Sequence, residues 1–183
     1  SFKKIQTFYS PDSLFYAGFN NNAISISEDG KNLYAISNSF GFHSVLVFSI
    51  NETTGKIELK NLIKNGENGV DQLENLAFIK CSRDTQYIYL GTNLDTIKTL
   101  QVFERASKKD SLTRLQILDQ NDSLATPWLI DESRDNKFVY VYDAEGIVTF
   151  TKDSLTRHLD FASKTRWANN PDFSLGTSMT ISN

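Results

Sequence analysis

Short apolar runs alternate with polar turns along the whole chain. A first set comprises Ala23-Ile-Ser-Ile26, Leu76-Ala-Phe-Ile79, Trp128-Leu-Ile130 and Met179-Thr-Ile181. A second set follows after a turn, at Leu33-Tyr-Ala-Ile36, Tyr87-Ile-Tyr-Leu90 and Phe138-Val-Tyr-Val-Tyr142. A third comprises Val45–Ile50, Leu100–Phe103 and Ile147–Phe150, and a fourth Gly55–Leu59, Leu112–Ile117 and Leu155–Leu159. These runs are short, rich in β-branched and aromatic residues, and bounded by Gly, Asn, Asp and Ser, so they predict strands.

The runs belong to a repeat. Ser27-Glu-Asp-Gly-Lys-Asn-Leu-Tyr34, Ser82-Arg-Asp-Thr-Gln-Tyr-Ile-Tyr89 and Ser133-Arg-Asp-Asn-Lys-Phe-Val-Tyr140 share Ser, Asp and Tyr at the same three positions. The tetrapeptide Ser-Leu-Thr-Arg also recurs, at 111–114 and 154–157, and is expected at the same point of its unit. Four antiparallel strands every ~50 residues is the pattern of a β-propeller blade. One such sheet cannot hide both faces, so blades stack face to face. Tyr34, Tyr89, Tyr140, Phe48, Phe103 and Phe150 are the expected packing residues between blades. Asp29-Gly30 suits a tight hairpin turn, and Asp29, Asp84 and Asp135 are expected to bond their own turn backbone.

The expected fold class is therefore all-β, a propeller segment with three complete blades at 23–75, 76–126 and 127–177. Lys3-Lys-Ile-Gln-Thr7 aligns with a fourth strand, so residues 1–22 read as the last strand and connector of a preceding blade. Residues 178–183 read as the first strand of a following blade. Closed propellers have roughly 4–8 blades, so three leave sheet faces and edges open. The expectation is a part of a longer protein, or a ring completed by another chain.

Composition narrows the function. Of 183 residues, 39% are hydrophobic and 22% charged, enough to bury a core and unlike a disordered chain. Lys and Arg number 19 against 22 Asp and Glu, without the clustered basic surface that phosphate neutralisation requires, so nucleic acid is not an expected partner. A single cysteine, Cys81, excludes an intrachain disulfide framework and a multi-cysteine zinc site, and reads as a small buried residue. No apolar run reaches the roughly 20 residues of a membrane-spanning helix. No charged-then-apolar leader follows Ser1, so a targeting segment is expected to be absent or already removed. There is no Gly-rich phosphate loop, paired-His motif or calcium loop, and no metal or cofactor is expected.

The units resemble the lactonase-like, YVTN-type β-propeller repeat family. Its blades run approximately Ser-Pro-Asp-Gly-Lys-x-Val-Tyr-Val, then an Ala-Val-Phe strand, then Thr-Gly-x-Leu. The first unit gives Ile26-Ser-Glu-Asp-Gly-Lys-Asn-Leu-Tyr-Ala35, Val47-Phe-Ser-Ile50 and Thr54-Gly-Lys-Ile57; the second gives Val102-Phe-Glu-Arg105 and Asp110-Ser-Leu-Thr-Arg-Leu115. Glu28 stands where the family has Pro, and the second and third units lack the turn Gly. The resemblance covers nearly the whole chain and implies the propeller fold. Such repeats occur in sugar-lactone hydrolases, surface-layer proteins and adhesin-like chains.

In a propeller, the fourth-to-first connectors share a rim with the second-to-third loops, and rim loops carry ligand sites. The longest connectors are Leu62–Asn75 and Phe161–Ser178. Asp71, Glu74, Asn93, Asp95, Arg166 and Trp167 are the candidate ligand-binding set, suited to a sugar or polar peptide; ordinary solvated loop polarity explains the same residues. His43, on a second-to-third loop, is the candidate catalytic residue, whereas His158 falls inside a fourth strand, and no motif fixes a nucleophile beside either. Asn51-Glu-Thr53 and Asn121-Asp-Ser123 are glycosylation acceptors in turns or connectors. The leading expectation is a non-catalytic interaction or scaffold module of a larger extracellular or cell-surface protein, whose partners are other chains or further blades. A lactone hydrolase is the alternative, with rim carboxylates and a histidine activating water, and a carbohydrate-binding rim is a third reading.

Overall fold

The computed structural model describes residues 4–7, 23–39, 42–94, 96–105 and 111–167. Twelve strands form three four-stranded antiparallel sheets, each a meander in chain order. The first holds β1 (Ile24–Ile26), β2 (Asn32–Ser39), β3 (Phe42–Ile50) and β4 (Ile57–Lys64). The second holds β5 (Leu76–Cys81), β6 (Tyr87–Leu94), β7 (Ile97–Arg105) and β8 (Leu112–Leu118). The third holds β9 (Pro127–Glu132), β10 (Phe138–Asp143), β11 (Gly146–Lys152) and β12 (Leu159–Arg166). Among the described residues the one helical segment is the single 3-10 turn Gln120–Asp122.

Side chains alternate across each strand, so each sheet has two faces to bury. Tyr34, Ile36, Val45 and Val47 pack with Ile79, Cys81, Ile88, Leu90 and Phe103 in the seam between the first and second sheets. Phe78, Tyr89, Leu100 and Val102 pack with Ile130, Val139, Val141, Val148 and Phe150 in the seam between the second and third. Ala35, Leu46 and Phe48 form a separate cluster on the first sheet's other face. Second-strand Tyr residues thus point forward along the chain, and third-strand Phe residues point back. Five of the six expected packing aromatics are buried; Tyr140, on the face turned away from the second sheet, stays half-exposed. Each Phe sits at a ladder irregularity of the same kind, between Val47 and Phe48, Val102 and Phe103, and Thr149 and Phe150.

The Ser-x-Asp turns are three copies of one device. The Ser hydroxyl donates to the Asp carboxylate at 2.5, 2.6 and 2.7 Å in Ser27–Asp29, Ser82–Asp84 and Ser133–Asp135. That carboxylate accepts the N–H of Lys31, Gln86 or Lys137, and the Ser oxygen accepts the N–H of Asn32, Tyr87 or Phe138. The next residue must be left-handed: Gly30 has φ 69°, Thr85 61° and Asn136 58°. The absent glycines are therefore replaced by residues held in the same backbone region.

Several strand limits differ from the sequence expectation. Ser-Leu-Thr-Arg does not recur structurally: Leu112–Arg114 open β8, whereas Ser154–Arg157 form the turn before β12. The cause is Asp153, whose Oδ1 accepts the N–H of Leu155 and Thr156 while Arg157 adopts φ 64°. Asn51 caps the turn before β4 in the same way, with Gly55 at φ 69°. His158 is consequently exposed on a turn, and Phe161–Arg166 are strand rather than connector. His43 likewise lies within β3, opposite Asn38 of β2.

Gln116 of β8 bonds both backbone groups of Leu159 across the second seam, at 2.9 and 2.8 Å. Gln6 makes the same two-point contact with Ile57, at 3.0 and 2.8 Å. Lys4–Thr7 lie outside the twelve strands; the rest of 1–22 and all of 178–183, assigned to end blades, fall outside the described residues.

A cation at the end of two of the third strands, β7 and β11, ties neighbouring sheets together. Arg105 donates to Asn32 Oδ1 at 2.7 Å and to the Thr85 carbonyl at 2.6 Å, with its guanidinium 5.6 Å from the Tyr34 ring centre. Its counterpart Lys152 donates to Asp84 Oδ2 at 3.1 Å and to the fully buried Glu132 at 3.0 Å, with Nζ 5.0 Å from the Tyr87 ring centre. Glu132 also accepts the Tyr89 hydroxyl at 2.7 Å and the Arg83 N–H at 2.6 Å. Burial and then the Glu132 charge hold the Tyr89 hydroxyl well above its ordinary value of 10.0, so it remains a donor.

Three outcomes follow from this packing. Thr85→Gly relieves a β-branched side chain of a left-handed backbone and is expected to raise unfolding free energy by about 1 kcal/mol in urea titrations. Glu132→Ala leaves Lys152 with Asp84 alone and takes the acceptor of the Tyr89 hydroxyl, and is expected to cost about 3 kcal/mol, while E132M/K152M restores part of the loss. At Asp84, burial pushes the carboxyl pKa up, but Ser82, Gln86 and Lys152 outweigh it and the net shift is below 3.8. The folded pKa is thus depressed: this stabilisation is complete above the ordinary value and is lost as pH falls through the folded one. Acid titration of stability should show this loss in the wild type and a smaller one in Lys152→Met.

Candidate functional site

In a four-stranded meander the first-to-second and third-to-fourth turns share one rim. The second-to-third hairpins and the connectors between sheets share the other. The Ser-x-Asp turns and the Glu132–Lys152 node occupy the first rim. On the second rim lies a cavity of about 740 Å³ at the seam of the second and third sheets. Its walls come from the β6–β7 hairpin (Thr96, Ile97, Lys98, Thr99), the β8–β9 connector (Asp119, Gln120, Ser123, Leu124, Ala125), Glu145, Lys164, Arg166 and Gln72. None of these lining residues belongs to the first strands β1, β5 or β9.

Asp143 builds one wall. This fully buried carboxylate accepts the N–H of Glu145 and Gly146 on Oδ1, both at 2.8 Å, which closes the β10–β11 hairpin. Its Oδ2 accepts the Ala125 N–H at 3.0 Å and Lys164 Nζ at 2.9 Å, joining hairpin, connector and β12. A Cβ on Gly146 would stand 2.0 Å from the Thr165 carbonyl, so only glycine lets the hairpin lie against β12. Lys164 also donates to the Ser123 carbonyl at 2.9 Å and to Glu145 Oε2 at 3.0 Å, with its side chain 6% exposed. Arg166 reaches the same Glu145 oxygen from the solvent side. The hydrogen bond and charge of Lys164, then Arg166, hold the Glu145 carboxyl below its ordinary 4.5, so it stays ionised near neutral pH.

The opposite wall is Asp119. Its Oδ1 accepts the Asn121 N–H at 2.7 Å and its own N–H donates to Asp122 Oδ2 at 3.0 Å, which fixes the 3-10 turn; Ser123 ends the turn at φ 70°. Lys98 and Asp119 line the cavity besides the Lys164–Glu145–Arg166 group, and among the described residues neither forms an ion pair.

The residues singled out from sequence fall in different places. Arg166 lines the cavity. Trp167 is not among the lining residues; its ring packs at a tilt of 44° against Tyr142 with ring centres 5.2 Å apart, and its Nε1 donates to the Asp143 carbonyl at 3.4 Å. Asp71 pairs instead with Arg114 of β8, and Glu74 accepts the Asn65 side-chain amide at 2.7 Å. Asn93 accepts the Asn75 amide at 2.7 Å; Asp95 lies outside the described residues. His43 Nδ1 accepts the Asn75 N–H at 3.4 Å and faces the Asn38 carboxamide at 3.4 Å, which gives it amide rather than carboxylate neighbours. Asn51 and Asn121 are both exposed. Burial pushes the Cys81 thiol up to about 11, leaving it protonated and inert. Among the described residues no group of His, Cys, Asp and Glu side chains is assembled as a metal site.

Sequence reasoning missed Lys98, Asp119, Asp143, Glu145 and Lys164. Asp143-Ala-Glu-Gly146 carried a readable signal, an Asx turn between two strands. Lys164 carried none, because its strand reads as a polar connector.

The sequence matches no protein-family model and no curated protein. Solved structures do share its fold. A candidate 6-phosphogluconolactonase from Bacteroides uniformis superposes with a TM-score of 0.61 at 19% identity, over 84% of this chain and 45% of that one. A second, from Bacteroides fragilis, gives 0.60 at 19% over 75% and 36%, and a protein from Lactobacillus plantarum gives 0.59 at 18% over 77% and 40%. Hydrazine synthase from Kuenenia stuttgartiensis also aligns, with a TM-score of 0.50 at 19% identity over 70% and 39%. The chain spans less than half the length of each of these proteins. Its three sheets are blades of the propeller fold found in lactonase-like proteins.

Proposed function

We propose that this chain supplies consecutive blades of a YVTN-type, lactonase-like propeller. Its rim cavity binds a small polyhydroxylated ligand with an anionic group, a sugar acid or sugar lactone. One observation carries the reading: a cavity of about 740 Å³ that sets Lys98, Lys164 and Arg166 against Asp119 and Glu145. That volume suits a small molecule, and fixed charges of both signs suit a ligand with hydroxyls and one acidic end. Gln72, Thr96, Thr99 and Gln120 add neutral donors and acceptors around it. The names of the structural relatives from Bacteroides support the same ligand class.

Lactone hydrolysis needs a base for water and a cation for the carbonyl oxygen. Glu145 is a poor base because two cations hold it ionised, which leaves Asp119 for that role and Lys98 for the carbonyl. Water attacks the carbonyl carbon and its proton passes to the Asp119 carboxylate. The ring C–O bond then breaks, and the leaving alkoxide recovers that proton, giving the open hydroxy acid. Gln6, which meets Ile57 as Gln116 meets Leu159, supports a preceding blade and hence a longer ring. The exposed acceptors Asn51 and Asn121 are compatible with an extracellular location.

The second reading is a scaffold module, favoured by the part-exposed Tyr140 and Tyr142 on the third sheet's outward face. Both readings meet in one experiment on the intact protein: turnover of gluconolactone and 6-phosphogluconolactone, with calorimetric binding of the matching acids. Turnover that falls about 10²–10⁴-fold in Asp119→Asn supports hydrolysis. Binding without turnover, weakened in Lys98→Met, supports a sugar-acid site. Neither binding nor turnover at millimolar ligand overturns the cavity reading in favour of the scaffold.

A further inference from the structure

We infer that Glu145 is a tethered rival for the ligand's anion, holding Arg166 while the cavity is empty and releasing it when an acid binds. This rests on the cavity reading above and concerns how the site sets its affinity and selectivity.

The two cations that touch Glu145 differ in mobility. Lys164 is 6% exposed and is anchored by Asp143 Oδ2 at 2.9 Å and the Ser123 carbonyl at 2.9 Å, independently of Glu145. Arg166 is 65% exposed, and among the described residues its only ion-pair partner is Glu145, itself 47% exposed. An exposed pair of this kind is held weakly, so an incoming carboxylate or phosphate can take its place. The exchange needs no backbone movement, because the exposed Arg166 guanidinium swings off while the Glu145 N–H stays bonded to Asp143 Oδ1. Glu145 keeps its Lys164 contact at 3.0 Å, so its charge is not abandoned. The ligand gains a planar, two-pronged donor in Arg166 beside Lys98.

The cost of this arrangement is apparent affinity, since the competent state is only the fraction in which Arg166 is free. That factor is set by the Arg166–Glu145 pair alone and is the same for a carboxylate and a phosphate. The Glu145 charge that stays beside the site adds a repulsion that grows with ligand charge, so Glu145 disfavours the phosphorylated acid at least as much as the unphosphorylated one.

Calorimetry with gluconate and 6-phosphogluconate on the intact protein tests this. Glu145→Gln, an exposed substitution that should leave the melting temperature near that of the wild type, is expected to bind gluconate about tenfold more tightly. The gain for 6-phosphogluconate should be at least as large, and E145Q/R166M should lose most of the gain for both. If Arg166→Met weakens binding but Glu145→Gln leaves it unchanged or weaker, Glu145 is a ligand contact or a bystander, and this inference falls while the cavity reading stands. If gluconate and 6-phosphogluconate fail to bind, or bind equally in Arg166→Met and Lys98→Met, the cavity reading falls and takes this one with it.

Discussion

The first and second sheets are apolar on both faces, and that constraint governs everything else. A sheet with Tyr34 on one side and Phe48 on the other has no orientation in water that hides both. Stacking is the remaining solution, and it fixes which residue goes where. Forward-pointing tyrosines and backward-pointing phenylalanines meet in the seams, and the ladder irregularity beside each phenylalanine turns it into its seam. The polar ties follow from the same geometry. Once Lys152 and Arg105 are carried to the seam by their strands, each finds a partner on the preceding sheet, Asp84 and the Tyr87 ring for Lys152, Asn32 and the Tyr34 ring for Arg105.

Much of this was legible in the chain. The Ser-x-Asp…Tyr spacing located the first and second strands of the three described sheets, because a turn that bonds its own backbone needs those side chains in that order. Loss of the turn glycine in two units did not change the turn: Thr85 and Asn136 take the left-handed position under the force of the Ser–Asp bonds around them. The fourth strands were harder to read. β12 is held by its ladder with β11 and is polar on most of its length, so Phe161–Arg166 reads as loop. The repeated Ser-Leu-Thr-Arg misled for a related reason. Identical tetrapeptides take different shapes when Asp153 caps one of them.

The candidate site was the least legible part, and the reason is topological. Its charged groups come from separated pieces of chain: Lys98, Asp119, Glu145 and Lys164 lie in four different segments of two sheets. Only stacking brings them together, and no local pattern announces them. Arg166 was found because an arginine beside a tryptophan stood out in what read as a long connector. Asp71, Glu74 and Asn93 stood out equally and proved to be bound to Arg114, Asn65 and Asn75.

The two rims do different jobs. Lys152 and Arg105 tie the sheets at the edge that carries the serine turns, while the recess and its charges sit at the far edge, separated by the length of the strands. At that far edge Asp143, Lys164 and Gly146 are fixed by packing, whereas exposed lining residues such as Gln120 and Arg166 can change with little penalty to folding. A body built this way is free to rewrite its chemistry at a few exposed hairpin and strand-end positions while its framework stays the same.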